Sequence, residues 1–161
     1  MPDNASTPLL ERSVTIAAPP SAVWEAVGDV RRMPEWSPQV TSVRLRAPED
    51  GIRLGTRFTN LNHLGDLEWV THGEVVRHEP GRAIAFRIEE NYTVWSFTLA
   101  ADGAGTVLTQ RRDAPDGISQ FSLDLTERHL GGQEAFTALM LEGMEQTLAG
   151  IRSSAEAAIN R

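Results

Sequence analysis

The sequence predicts an α+β domain in which a seven-stranded antiparallel sheet is combined with one long C-terminal helix. Seven segments alternate apolar and polar residues with the period of two that is typical of half-buried strands. The turns between the last six segments are too short for crossover helices, so these strands are expected to run antiparallel as neighbours. Residues 133–159 change to helical spacing and contain no proline.

The first strand is predicted over residues 10–17, and two short helices follow it. Pro19 and Pro20 end the strand and favour a helix start, because the first amides of a helix have no intrahelical partner. A Gly-Asp pair then ends the first helix and provides a side-chain cap for the second, which is predicted around residues 30–35.

Six further strands follow, separated by short turns rich in glycine, proline, asparagine and aspartate. Residues 113–132 are predicted to be irregular, with an alternating apolar edge at residues 121, 123 and 125, and a segment of this kind can act as a lid. The first eight residues are expected to be flexible, and residues 9–161 are expected to form one domain. The six strands are predicted over residues 40–47, 56–64, 67–78, 83–89, 92–101 and 106–112.

Composition and charge exclude several classes of function. The formal net charge of −7, without a basic cluster beyond two Arg-Arg pairs, argues against binding to nucleic acid or to an anionic membrane surface. The absence of cysteine excludes disulfides, thiolate catalysis and zinc–thiolate sites. No apolar run approaches a membrane span and the N-terminus lacks a secretory pattern, so the protein is expected to be cytoplasmic, without integral membrane association.

Metal and cofactor signatures are also missing from the sequence. The four histidines show no HExxH spacing, and there is no dinucleotide fingerprint, phosphate loop or nucleophile elbow. Neither a metal ion nor another cofactor is therefore expected.

Six local signatures recur along the chain in a fixed order. They are Ala-Pro-Pro-Ser-Ala-Val-Trp at residues 18–24, Pro-Glu-Trp-Ser-Pro at 34–38, Gly55-Thr56, Glu79-Pro80, Trp95 with Phe97, and Gly105-Thr106. Together with the order of the elements, they resemble the START/Bet v1-like (SRPBCC) superfamily, in particular its polyketide cyclase/dehydratase and lipid-transport branch.

This resemblance implies a helix-grip fold, in which the sheet curls around the last helix and leaves a cavity between them. It also implies a ligand such as a lipid, sterol, quinone or polyketide, and some members catalyse cyclisation, dehydration or hydrolysis. The fold does not distinguish among these functions, so the function must be argued from the residues of the cavity.

The last two strands supply candidates for the cavity wall. Alternation places Trp95 and Phe97 on one face of the first of them, although core packing is the more ordinary interpretation of Trp95. In the second, the phase that buries its central leucine also turns Gln110 and Arg112 inward. A buried, unpaired arginine is costly, so Arg112 is expected to meet a carboxylate, a ligand oxygen or solvent at the cavity mouth. The alternative, which the sequence supports equally, places Arg112 beyond the strand end in water.

An earlier strand, residues 56–64, adds two amides. Burying Phe58 turns Asn60 and Asn62 inward, where they would offer neutral hydrogen-bonding groups to a carbonyl or hydroxyl. The opposite phase buries Leu61 but also turns an arginine inward, which costs more. A sheet edge decorated with polar residues is an equally common alternative.

Four residues from helices complete the predicted ligand-binding wall. Trp36 lies at the second short helix, and Phe136, Met140 and Met144 lie near one face of the long helix. Methionine suits ligands of varied shape, because its flexible thioether can repack. The alternative is that this stripe is ordinary helix core.

His72 and Arg112 are the candidate catalytic residues. His72 shares a strand face with Glu68 and Glu74, and an imidazole near a carboxylate can act as a general base. The same strand can instead bury its other face, and His72 would then lie on the convex outer surface.

Three functions are compatible with these observations. The leading hypothesis is a carrier or binding protein for a small hydrophobic, oxygen-bearing ligand such as a polyketide, isoprenoid quinone or lipid. The second is a cofactor-independent enzyme of the polyketide cyclase/dehydratase type, which would gain most of its rate from positioning. The third is a protein-interaction module of the co-chaperone type. The oligomeric state is left open.

Overall fold

One antiparallel sheet forms the framework of the computed structural model, which describes residues 9–159. The α+β class and all seven predicted strands are confirmed, with strand ends that differ from the prediction by at most two residues. The expected flexible segment, residues 1–8, lies outside the described residues. The strands are β1 (Leu10–Ile16), β2 (Val40–Leu45), β3 (Arg57–Leu64), β4 (Leu67–Glu79), β5 (Ala83–Ile88), β6 (Val94–Asp102) and β7 (Gly105–Asp113).

Helices lie on the concave side of this sheet and at its ends. The two short helices after β1 are α1 (Pro20–Val27) and a 3-10 helix (Val30–Glu35), and the second begins where the Asp29 carboxylate accepts a hydrogen bond from the Arg31 amide at 2.9 Å. The long helix has the predicted bounds, Gln133–Ile159. Between residues 9 and 159, no helix is long and apolar enough to cross a membrane.

The predicted irregular segment contains a helix, which corrects the expectation for residues 113–132. This helix, α2 (Gln120–His129), begins at Ser119, whose hydroxyl accepts a hydrogen bond from the Ser122 amide at 3.2 Å. The long helix that follows is α3. Apolar residues at every second position from 121 to 125 suggested a strand-like edge, but the hydroxyl cap favours a helix start.

The strand order is β1-β7-β6-β5-β4-β3-β2, so β2 to β7 form a meander and β1 joins it beside the last strand. Leu10 pairs with Arg112 and Val14 with Leu108. The sheet is irregular at two places, in β2 and after Val75 in β4. Irregularities of this kind bend a strand and increase its twist, which helps the sheet to curl.

The apolar core fills one end of the space between the sheet and α3. Further along β7 and α3, towards Arg112 and Met140, the inward side chains border a cavity instead. The fold is therefore solid at one end and hollow at the other. Core members with no exposed surface are Ile16, Val23, Val75, Ile84, Leu108 and Ile151.

Candidate ligand cavity

The cavity lies between the concave face of the sheet and the N-terminal half of α3. The cavity volume is about 140 Å³, and the whole empty space, including the open mouth, is about 1000 Å³. A single water needs roughly 10–15 Å³ by the first measure. The cavity is therefore comparable with a dry protein cavity of about 150 Å³ that binds benzene, and a larger molecule would extend into the open mouth.

Most of the predicted ligand-binding residues lie on the cavity wall. Six come from three strands: Asn60, Asn62, Trp95, Phe97, Gln110 and Arg112. Three come from α3: Phe136, Met140 and Met144. Their strand phases agree with the preferred interpretation, in which Phe58 and Leu108 are buried.

Two residues expected on the wall lie elsewhere. Phe58 is buried in the core, where its ring meets the edge of Phe86 with 5.5 Å between the ring centroids. Trp36 packs where Gly150 leaves room on α3, and Arg32 covers its ring at 4.7 Å. Both side chains therefore support the structure around the cavity without lining it.

The sequence interpretation missed the part of the wall that α2 supplies. Ser122, Leu125 and Thr126 face the cavity from this helix. Their spacing of three and four residues is the period of one helix face, and this signal was hidden by the alternating apolar residues nearby. Further missed residues come from the segment before β2, including Met33 and Gln39.

His72 lies on the convex face, outside the cavity, because β4 turns Thr71 and Gly73 inward. The His72 Nδ1 atom is 2.6 Å from Oε2 of Glu90, and the His72 amide donates to Oε1 of the same carboxylate at 2.7 Å. The imidazole is half-exposed and faces away from any cavity ligand. The position of His72 therefore does not fit the expected catalytic role.

His72 and two glutamates form the one group of potential metal ligands among residues 9–159. Ligand atoms of His72, Glu89 and Glu90 lie within 4.8 Å of one another. Spacing in the sequence gave no sign of this group, because the fold brings it together from β4 and the turn after β5. The group is largely exposed, and Glu90 already pairs with His72.

The polar side chains of the cavity differ in how well they are satisfied. The Asn62 amide donates to the Thr71 hydroxyl at 3.0 Å and to the Trp69 carbonyl at 3.3 Å. By contrast, Oδ1 of Asn60 and Oε1 of Gln110 are buried and accept no hydrogen bond from residues 9–159. Buried polar atoms normally find partners, so these two amides are available to a ligand.

Arg112 is the one ionisable side chain on the cavity wall formed by the described residues. It is only 8% exposed, and its Nε atom makes no hydrogen bond. The guanidinium carbon lies 5.9 Å from the centroid of the Trp95 ring, within the range of a cation–π contact. Burial lowers the pKa of Arg112 to about 10, so the side chain remains charged at neutral pH.

The adjacent arginine shows the opposite arrangement. Arg111 points to the outer face of β7, where it pairs with Glu11 at 3.6 Å and with Asp113 at 3.3 Å. The period of two along a strand separates the two neighbours. Arg112 is consequently left inside with no ion pair to any of residues 9–159.

Taken together, the cavity combines apolar walls, two unsatisfied amides and one cation. Such a wall can stabilise negative charge on an oxygen through Arg112 and can bind carbonyl or hydroxyl groups through the amides. It offers no carboxylate or imidazole as a general base from the described residues.

A sheet that curls around a long helix and leaves a cavity defines a helix-grip protein of the START/Bet v1-like (SRPBCC) class. The chain belongs to the family described as polyketide cyclase/dehydrase and lipid transport, whose model matches residues 7–156. The resemblance found in the sequence is thereby confirmed. No curated protein matches this sequence.

Solved structures share this fold at low sequence identity. The di-domain aromatase/cyclase StfQ from the steffimycin biosynthetic pathway has a TM-score of 0.74 and 15% identity, over 94% of this chain and 51% of StfQ. This chain thus spans about half of that protein. Zhui aromatase/cyclase from Streptomyces sp. R1128 has a TM-score of 0.67 and 19% identity, over 93% of this chain and 94% of Zhui. An AHSA1-like protein from Aeromonas hydrophila has a TM-score of 0.58 and 19% identity, over 92% and 94%.

Proposed function

We propose that this chain binds a small hydrophobic molecule with oxygen functions in its cavity and acts as its carrier or binding protein. The observation that carries the proposal is Arg112, which is charged and makes no ion pair with any of residues 9–159, on a cavity wall whose other described residues are neutral. A polyketide, an isoprenoid quinone or a lipid would each combine a large apolar body with the oxygen atoms that this wall can bind.

The amides support the same proposal. Leaving Oδ1 of Asn60 and Oε1 of Gln110 without a donor costs free energy in the empty protein, and a bound hydroxyl, which can donate to these oxygens, would recover it. Apolar surface on Phe97, Met140 and Met144 would supply the hydrophobic part of the affinity. The side chains that cost stability in the free protein are thus those that a ligand would use.

Native mass spectrometry tests the proposal directly. Protein purified from its own host is expected to carry a mass excess that disappears on denaturation, and the released molecule can then be identified. A Met140→Trp variant should lose this excess, because the larger ring fills the cavity. If the host-purified protein is empty and also takes up no added apolar probe, the proposed function is wrong.

A second candidate is a cofactor-independent aromatase/cyclase, since StfQ and Zhui carry that description and share the fold. Arg112 would stabilise an enolate oxygen as carbon–carbon bonds form, and the curved wall would hold a poly-carbonyl chain in a bend. Turnover of a poly-β-ketone substrate, lost in Arg112→Met, would favour this function. Binding of the same substrate without any rate gain over buffer would favour the carrier.

A further inference from the structure

We infer that the ligand of this cavity carries an acidic group, either a carboxylate or a stabilised enolate, which pairs with the guanidinium of Arg112. The inference rests on the proposed function, because it names the chemical class of molecule that the same cavity binds. It distinguishes an acid-bearing ligand from a neutral lipid or a neutral quinone.

The first argument is the missing anion. Arg112 is one of two adjacent arginines, and the nearby carboxylates Glu11 and Asp113 both pair with the outward-facing Arg111. None of the described carboxylates forms an ion pair with Arg112, although its side chain is more than nine-tenths buried. Buried charges in proteins are normally paired, so Arg112 lacks, among residues 9–159, a partner that a ligand could supply.

The second argument is that a neutral ligand would leave the charge uncompensated. The Trp95 ring beside Arg112 offers its electron-rich face, but at 5.9 Å this contact offsets burial only in part. A neutral carbonyl would satisfy one N–H group without neutralising the cation. A carboxylate would supply both the charge and two acceptor oxygens, which match the fork of a guanidinium.

The third argument concerns the rest of the wall. Asn60 and Gln110 are neutral, and each presents a buried oxygen that accepts no hydrogen bond from residues 9–159, so they suit hydroxyl groups on the same molecule, which can donate to these oxygens. Phe97 and Met140 are apolar, so they suit a hydrocarbon or aromatic body. One cation among neutral groups therefore defines a ligand with a single acidic group and a larger hydrophobic part.

A matched pair of fluorescent probes tests this inference on the intact chain. 1-Pyrenebutyrate and 1-pyrenebutanol share the same aromatic body and linker, and they differ in a carboxylate against a hydroxyl. The wild-type protein is expected to bind 1-pyrenebutyrate at least tenfold more tightly at pH 7.5, as a charge-assisted hydrogen bond in a buried site would give.

Variants identify the group responsible for this preference. Arg112→Met should reduce affinity for 1-pyrenebutyrate at least tenfold while it changes affinity for 1-pyrenebutanol by less than threefold. Arg112→Lys keeps the charge and should retain part of the preference. Arg111→Met is the matched control on the outer face, and it should leave both affinities within twofold of the wild type.

The outcomes separate this inference from the function on which it rests. Equal affinity of the wild type for both probes would overturn the acidic ligand and leave the binding function intact. A preference that survives in Arg112→Met would also overturn it. If neither probe binds, the proposed function itself fails. The affinities of the wild-type protein for the two probes test the inference even if Arg112→Met does not fold.

Discussion

The guanidinium of Arg112 lies over the indole face of Trp95, one strand away in the sheet, where the two residues form a cross-strand pair. This contact holds a charged group inside the fold, and no carboxylate among residues 9–159 forms an ion pair with it. Burial penalises the charged form of Arg112, so this side chain destabilises the free protein. A bound ligand can reduce that destabilisation. Stability and ligand binding are therefore expected to respond in opposite directions to changes at Arg112.

Arg112→Met should stabilise the free protein. Burial lowers the pKa of Arg112 from its ordinary value to about 10, which corresponds to a penalty of roughly 3 kcal/mol on the charged form. Methionine fills a similar volume without a charge, so the free energy of unfolding in urea at pH 7 should rise by about 1–3 kcal/mol. Arg111→Met, which removes exposed ion pairs, should lower it by less than about 1 kcal/mol. A loss of stability in Arg112→Met would contradict the prediction.

The increase in the free energy of unfolding caused by Arg112→Met should depend on pH. The pKa of Arg112 in the folded state is about 10, below its ordinary value in the unfolded chain, so the penalty is complete well below pH 10. It then shrinks as the folded protein loses the proton, and it vanishes once the unfolded chain has lost the proton as well. Urea unfolding should give the same gain at pH 7 and pH 9 and a smaller one at pH 11. A gain that grows with pH would show the opposite sign of linkage.

Met140→Trp should block the cavity. Met140 is buried on the wall, so an indole at this position occupies ligand space. Binding of 1-pyrenebutanol, measured by fluorescence, should weaken at least tenfold. Leu139→Trp is the matched control, because Leu139 is the preceding residue and is exposed. Equal weakening by both substitutions would place the binding site elsewhere.

Gly73→Ala should destabilise the sheet where it bends around the core. A Cβ atom at Gly73 would lie 2.7 Å from Cε2 of Phe58, which is buried against Phe86 and cannot move aside freely. The expected loss is about 1–3 kcal/mol in urea unfolding.

Gly143→Ala provides the control for this substitution. Its Cβ would meet Pro38 at an ordinary 3.6 Å, and alanine favours the helix, so stability should rise by about 0.5–1 kcal/mol. If Gly73→Ala is as stable as the wild type, the Phe58 ring is not confined as described.

His72→Ala should leave ligand binding unchanged, because His72 lies on the convex face. Loss of its exposed contact with Glu90 should cost no more than about 1 kcal/mol of stability. Affinity for 1-pyrenebutyrate, measured by fluorescence titration, should stay within twofold of the wild type. A tenfold change in affinity would show that the convex face affects ligand binding in the cavity.

Most of the fold could be predicted because its signals are local. Alternation located the strands within two residues of their ends, and the proline-free pattern gave both ends of α3. The start of β6 differs from the prediction because of the backbone conformation just before it. Tyr92 has φ of 67°, which lies outside the extended region, so β6 begins at Val94 instead of at residue 92.

The candidate site could be predicted only in part, because its properties depend on tertiary neighbours. Alternation gave the face of Arg112 but could not show that Glu11 and Asp113 pair with Arg111 instead. Similarly, the phase of Phe58 was correct, yet its place in the core depends on the room that Gly73 leaves. The strand phase of His72 was ambiguous because both faces of β4 carry a plausible set of residues.

Because β1 pairs with β7, the sheet cannot be completed until the last strand has been synthesised. Leu10 pairs with Arg112, about a hundred residues later in the chain, so the first strand emerges from the ribosome long before its partner exists. Contacts between such distant segments form slowly, because a large loop must close first. A nascent chain that stalls before residue 105 lacks β7, so the outer edge of β6 would stay unpaired and open to aggregation.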